Sequence, residues 1–119
     1  MTILQPTHQA LGLDSYRNID LGVTGQIVKA GPGQLYGYYY DNVALDVRVL
    51  KFYDQPTTPT HTDTPKLSIR LPASSAANIF TCIGVTFYAG ISVRATTGIE
   101  DNDTGAPTAH DVVVNVYYK

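Results

Sequence analysis

The chain has no tryptophan, a single cysteine and only 15% charged residues in 119, against roughly 25% charged in ordinary soluble domains. Each shortage excludes something. Cys82 has no second cysteine to bridge, so the fold must rest on a core, and synthesis in a reducing compartment suits it. Its neighbours, Ile79-Phe80-Thr81-Cys82-Ile83, read as an apolar strand in which Cys82 is a small buried hydrophobe. Eight basic and ten acidic residues give a formal net charge of −2, and the basic ones are scattered singly. With no basic patch, nucleic acid is not an expected partner. No apolar run approaches the roughly 20 residues that cross a bilayer as a helix. The start, Met1 to Pro6, lacks the basic and apolar regions of a secretory signal, so a soluble chain with no membrane partner is expected.

Signatures of catalysis are also missing. There is no Gly-x-Ser-x-Gly elbow, no phosphate-binding glycine loop and no pair of carboxylates in an apolar setting, so no enzyme and no cofactor is expected. His8, His61 and His110 stand apart in irregular segments without metal-ligand spacing. Glu100 to Gly105 offers oxygen ligands of the kind Ca²⁺ takes. It lacks the Gly and Glu positions of an EF-hand loop, and a solvated turn is the simpler reading.

What is present is strand chemistry. Valine, threonine, tyrosine and glycine are abundant, and extended segments recur between turn signals. The densest is Gln34 to Tyr53, read as two strands. In the second, Val47, Val49, Lys51 and Tyr53 face one way and Arg48, Leu50 and Phe52 the other. Two largely apolar faces place it between a core and a neighbouring subunit. Further strand signals lie at 19–23 and 25–30, then a Gly31-Pro32-Gly33 hairpin turn with positive φ at Gly33, and a turn at Asp41-Asn42. Leu67, Ile69 and Leu71 alternate inward against Ser68 and Arg70. Residues 73–78 form the one candidate helical turn. Strands at 80–88, 90–97 and 111–118 complete the set, the last paired within a sheet. Residues 54–65 and 98–110 are long polar loops. About eight strands and almost no helix predict an all-β, antiparallel β-sandwich of jelly-roll type. Residues 1–18 read as an irregular N-terminal arm and 19–119 as one domain.

The tyrosines add one more signal. Tyr36, Tyr38 and Tyr40 fall on one strand face and Tyr39 on the other, beside a gap at Gly37. Such a face packs in a core, meets a subunit or stacks on a sugar ring.

The order of several short pieces resembles small virion proteins of tailed phages, of the capsid decoration or cement type. The pieces are Gly33-Gln-Leu-Tyr-Gly-Tyr38, Asp41-Asn42, Val49-Leu-Lys-Phe-Tyr-Asp54, Thr64-Pro65 and Leu67-Ser-Ile-Arg-Leu-Pro72. Gly84-Val-Thr-Phe87, Gly90 to Gly98, Asp101 to Asp103 and Val114 to Lys119 complete the series, which spans about residues 25–119. The resemblance implies a sandwich subunit made in the host cytoplasm and carried on the virion's capsid surface. It would act as a homotrimer that ties adjacent major capsid proteins together. Tyr38, Tyr40, Phe52, Tyr53 and Tyr117 are the expected subunit contacts, and Ile3, Leu4, Leu11 and Leu13 the expected capsid contacts. The alternative is a carbohydrate-binding or receptor-binding module of a phage tail or fibre, using the tyrosine face and the two loops.

Overall fold

A computed structural model describes residues 12–119. Eight strands follow one another: β1 (Asp14–Asn18), β2 (Gln26–Lys29), β3 (Gly33–Asn42), β4 (Arg48–Tyr53), β5 (Leu67–Leu71), β6 (Ser75–Phe87), β7 (Ile91–Thr96) and β8 (Val112–Tyr118). They form two antiparallel sheets of four, β1-β8-β3-β6 and β2-β7-β4-β5, packed as a sandwich. Only the connection from β4 to β5 stays within one sheet; every other one crosses to the opposite layer.

Alternation explains the core. Val112, Val114 and Val116 of β8 and Leu35 and Tyr40 of β3 face Leu50 and Phe52 of β4 and Ile91, Val93 and Ala95 of β7. Phe52 lies at the centre, its ring 5.8 Å from that of Tyr38 and 6.5 Å from that of Phe87, both in inclined arrangements. The β5 alternation is as expected, with Leu71 fully buried and Leu67 and Ile69 packed against the same cluster.

Several local expectations differ from the structure. Asp14–Asn18, placed within an irregular arm, is the strand β1, held by backbone pairing to β8 from Asp14↔Tyr118 to Asn18↔Val114. Its polar sequence concealed it, since an edge strand needs only one inward residue, here Tyr16. Residues 19–23 are not a strand but the crossing between sheets, pinned by buried Leu21, whose N–H donates to Val112 O. The Gly31 to Gly33 turn does not close a hairpin, because β2 pairs with β7 while β3 pairs with β6 and β8. Gly33 has no positive φ either. Its constraint is space, since a Cβ there would lie 2.6 Å from Lys119 O.

Asp41 and Asn42 end β3 rather than making a free turn. The Asn42 amide is buried and donates to Asp46 O, Leu71 O and Pro72 O, while its Oδ1 accepts from Ala44 N. Residues 73–78 are not a helical turn. Ser75 already starts β6, and Ser74 takes the positive φ (49°) at the corner.

Candidate functional site

The outward residues of β4 and β7, Val49, Lys51, Tyr53, Ser92, Arg94 and Thr96, are all buried. No neighbouring subunit is needed to cover them. The two long polar loops fold back over this face instead, drawn down by hydrogen bonds. Ser92 Oγ donates to Gln55 O (2.7 Å) and Thr57 O (3.2 Å), and Thr96 Oγ1 donates to Gly98 O (2.7 Å). Arg94 spreads its guanidinium over three acceptors: Val23 O (3.2 Å), the Tyr53 hydroxyl (3.0 Å) and Asp103 O (2.9 Å). Lys51 Nζ donates to Glu100 O. Burial pushes the Lys51 pKa below its ordinary value and neighbouring Arg94 adds to this, with Asp103, Asp101 and Glu100 opposing. Burial likewise raises the Tyr53 hydroxyl, against the hydrogen bond and charge of Arg94.

The acidic loop also faces this side of the sheet through its backbone. Its carbonyls turn inward onto two internal cations, and the Asp103 carboxylate accepts from Gly98 N (3.3 Å) and Gly105 N (2.7 Å). Lys51 and Arg94 thus hold the loop through the backbone carbonyls of Glu100 and Asp103. Among the described residues no group of three or more His, Cys, Asp or Glu side chains could hold a metal ion.

A second carboxylate works the same way at the far end of the loop pair. Asp54 accepts from the backbone N–H of Tyr88 (3.0 Å), Ala89 (2.8 Å) and Gly90 (3.4 Å), with Lys66 Nζ 3.9 Å away. Burial alone would raise its pKa, but the three N–H donors and Lys66 outweigh it and hold the group below the ordinary carboxylate value. The sign follows from linkage. A depressed carboxylate contributes stability that is present at neutral pH and is lost as pH falls through the folded-state pKa. Asp54→Asn is expected to lower stability at neutral pH and to flatten the decline below about pH 4, as read by urea unfolding across pH.

On the outer face of the β1-β8-β3-β6 sheet, a bulge divides the tyrosines. The register of β3 against β8 slips between Leu35 and Gly37, which leaves Tyr36 as an extra residue. Tyr38 and Tyr40 therefore turn to the core side and Tyr36 and Tyr39 outward, instead of three on one face. The gap at Gly37 is filled. Phe80 of β6 and Tyr117 of β8 both lie opposite Gly37 and their rings stack across it, 5.2 Å apart and 13° from parallel. A Cβ at Gly37 would sit 2.3 Å from Ile79 O and 3.1 Å from the Phe80 ring. Gly37→Ala is expected to cost about 1–3 kcal/mol through backbone displacement and overpacking, measured by chemical denaturation.

Of the expected subunit contacts, Phe52 and Tyr53 are fully buried within the subunit, and Tyr40 is buried with its hydroxyl 3.2 Å from Ser75 Oγ. They offer no surface to a partner. Tyr38 is half-buried against Phe52, and Tyr117 is half-buried on the outer face. Leu13 is exposed, whereas Ile3, Leu4 and Leu11 lie outside the described residues. His61 and His110 are exposed in loops, and His8 is also outside the described residues.

Besides Leu13, Ile19 and Ile27, accessible apolar residues stand in two places. Val43, Leu45 and Val47 cluster between β3 and β4, and Ile79, Phe80, Ile83 and Tyr88 lie on and beside β6. Cys82 is exposed, not buried, because four residues of β6, Thr81 to Gly84, bulge out opposite Tyr36 alone. β6 is an edge strand of its sheet, opposite β1, and belongs to an uncharged run from Leu71 to Val93. Edge strands ordinarily carry charge or proline against unwanted pairing. That run was the available sequence signal for an interaction surface. Compared with known proteins, the chain matches no family model, no curated protein and no solved structure.

Proposed function

We propose that this chain is a structural virion protein of a tailed phage, a decoration protein that binds the outer surface of the head as a homotrimer and ties adjacent major capsid proteins together. One observation carries the reading. The strand order β1-β8-β3-β6 against β2-β7-β4-β5 in a two-sheet sandwich supports a jelly-roll reading, an architecture of viral coat domains as well as lectins. The resemblance of residues 25–119 to decoration proteins selects the first of these. In this reading residues 1–13 serve as an arm toward the shell, with Ile3, Leu4, Leu11 and Leu13 as its contacts.

The chemistry is compatible with such a role. The ionisable groups inside the subunit, Lys51 and Arg94, are spent on holding loops, while apolar side chains stand exposed at the surface. Carbohydrate binding by the tyrosine face is the weaker reading, because Phe80 and Tyr117 fill the gap at Gly37 and Tyr36 donates its hydroxyl to Gln34 Oε1 (2.6 Å). Cosedimentation with empty heads assembled from the major capsid protein of the same phage is the test. Saturable binding that is weakened by Leu13→Asp supports the proposal. Absence of binding to heads, together with retention on a glycan array, would replace it by the carbohydrate reading.

A further inference from the structure

The two sheets have four edge strands, and three of them are protected. β1 carries Asp14 and Arg17, β2 is only four residues long and ends on Lys29, and Arg70 of β5 stands between Pro65 and Pro72. The fourth, β6, runs for thirteen residues without a charge or a proline, and it exposes Phe80 (64%) and Ile83 (84%). An edge of this kind pairs with whatever extended segment can reach it.

One such segment belongs to the same chain. Asp14, Tyr118, Leu35 and Val85 form one row across the sheet, so β1 begins at the end where β6 finishes. The chain enters there at Gly12, whose carbonyl accepts from Lys119 Nζ (2.6 Å). Lys119 in turn lines an open cleft of ≈ 370 Å³, together with Gly33 of β3 and with Thr86 and Tyr88 at the end of β6. From β1 to β6 is three strand spacings, roughly 14 Å. Residues 1–11 span roughly 36 Å when extended, so about four of them cross the cleft and about seven remain to follow β6.

Composition agrees with this path. Residues 1–13 hold no Asp, Glu, Lys or Arg, just as β6 holds none, and Ile3 and Leu4 are apolar partners for Phe80 and Ile83. Pro6 falls in the same segment. Proline has no N–H to donate, so an edge made by these residues stops the ladder instead of extending it.

We infer that in the free protein residues 1–11 cross the cleft and lie along the open edge of β6 in the same copy, parallel to that strand, with Ile3 and Leu4 beside Phe80 and Ile83. Backbone pairing supplies the hold and the apolar side chains fix the register, as in other cases of strand addition. The inference goes beyond the function proposed above and does not rest on it. The shell contacts assigned there to Ile3, Leu4 and Leu11 then require the segment to leave this edge when the head is met.

Hydrogen exchange on the full chain tests this. Alternate amides of an edge strand point away from the sheet and exchange quickly when nothing covers them. Those of β6 are expected to be slow in the wild type and about tenfold faster or more in the double variant Ile3→Asp, Leu4→Asp, while β8 keeps its protection. Both positions precede β1, so the sandwich is retained, which circular dichroism verifies. Fast exchange of these amides in the wild type, or slow exchange that the double variant leaves unchanged, overturns the proposal. Cys82, the one cysteine and exposed on β6, reports which copy the segment belongs to. Under mild oxidation Leu4→Cys is expected to form a disulfide with Cys82 within one chain, and a disulfide between two chains, or none, contradicts the assignment. Head binding is a separate readout. Heads bound by a protein whose β6 edge exchanges freely refute only this inference, and a protected edge without head binding refutes only the capsid role.

Discussion

Arg94→Met should lower stability by about 3 kcal/mol or more, near the upper end of what single substitutions do. The reason is the number of acceptors that one guanidinium satisfies. Removing it leaves Val23 O, the Tyr53 hydroxyl and Asp103 O in a site that is almost closed to water. Each buried polar group that loses its partner costs about 1–3 kcal/mol. Arg94→Lys keeps the charge but has one compact head for three directions, so it should recover only part of the loss. Hydrogen exchange distinguishes the mechanism from general weakening. The amides of Gly98 and Gly105, held by the Asp103 carboxylate, should lose protection before those of β8. Uniform loss across both would show that the loop is not what Arg94 secures.

Phe52→Ala should cost about 3–5 kcal/mol. Phe52 has no exposed surface and contacts rings from the opposite sheet, so truncation opens a cavity that neither layer can collapse into without moving Tyr38 or Phe87. Phe80→Ala is the matched control. It deletes the same atoms at a residue that is 64% exposed, where only the stack on Tyr117 is lost, and the expected cost is about 1 kcal/mol. Equal costs for the two would contradict the assignment of the core between the sheets.

How far the sequence speaks can be judged from these same residues. Leu50 and Phe52 facing one way, and Val112, Val114 and Val116 another, were legible from period-two alternation, which is why the all-β sandwich and its core could be read directly. The second apolar face of β4 was legible too, but not its cover. Alternation reports that a face is dry and says nothing of what keeps it so. Here the cover is Gln55 to Thr57 and Gly98 to Asp103, polar segments that ordinarily signal solvent. Ser92, Arg94 and Thr96, polar side chains on the same face of β7, are buried under that cover. The bulges had the same effect on β3 and β6. One extra residue at Tyr36 separates it from Tyr38, and four at Thr81 to Gly84 bring Cys82 and Ile83 to the surface. Register of this kind depends on the partner strand, and a single strand's pattern does not contain it. Strand order belongs to the same class. Gly31-Pro32-Gly33 has the composition of a hairpin turn, yet it passes between sheets because β7 and β6 claim the strands on either side.

The central claim is that this protein works by assembling, and its mass in solution tests that most directly. Light scattering on the purified full chain at two well-separated concentrations is expected to give a trimer that persists, or re-forms, as concentration rises. A monomer at both concentrations would contradict the account, since the proposed role rests on a homotrimer.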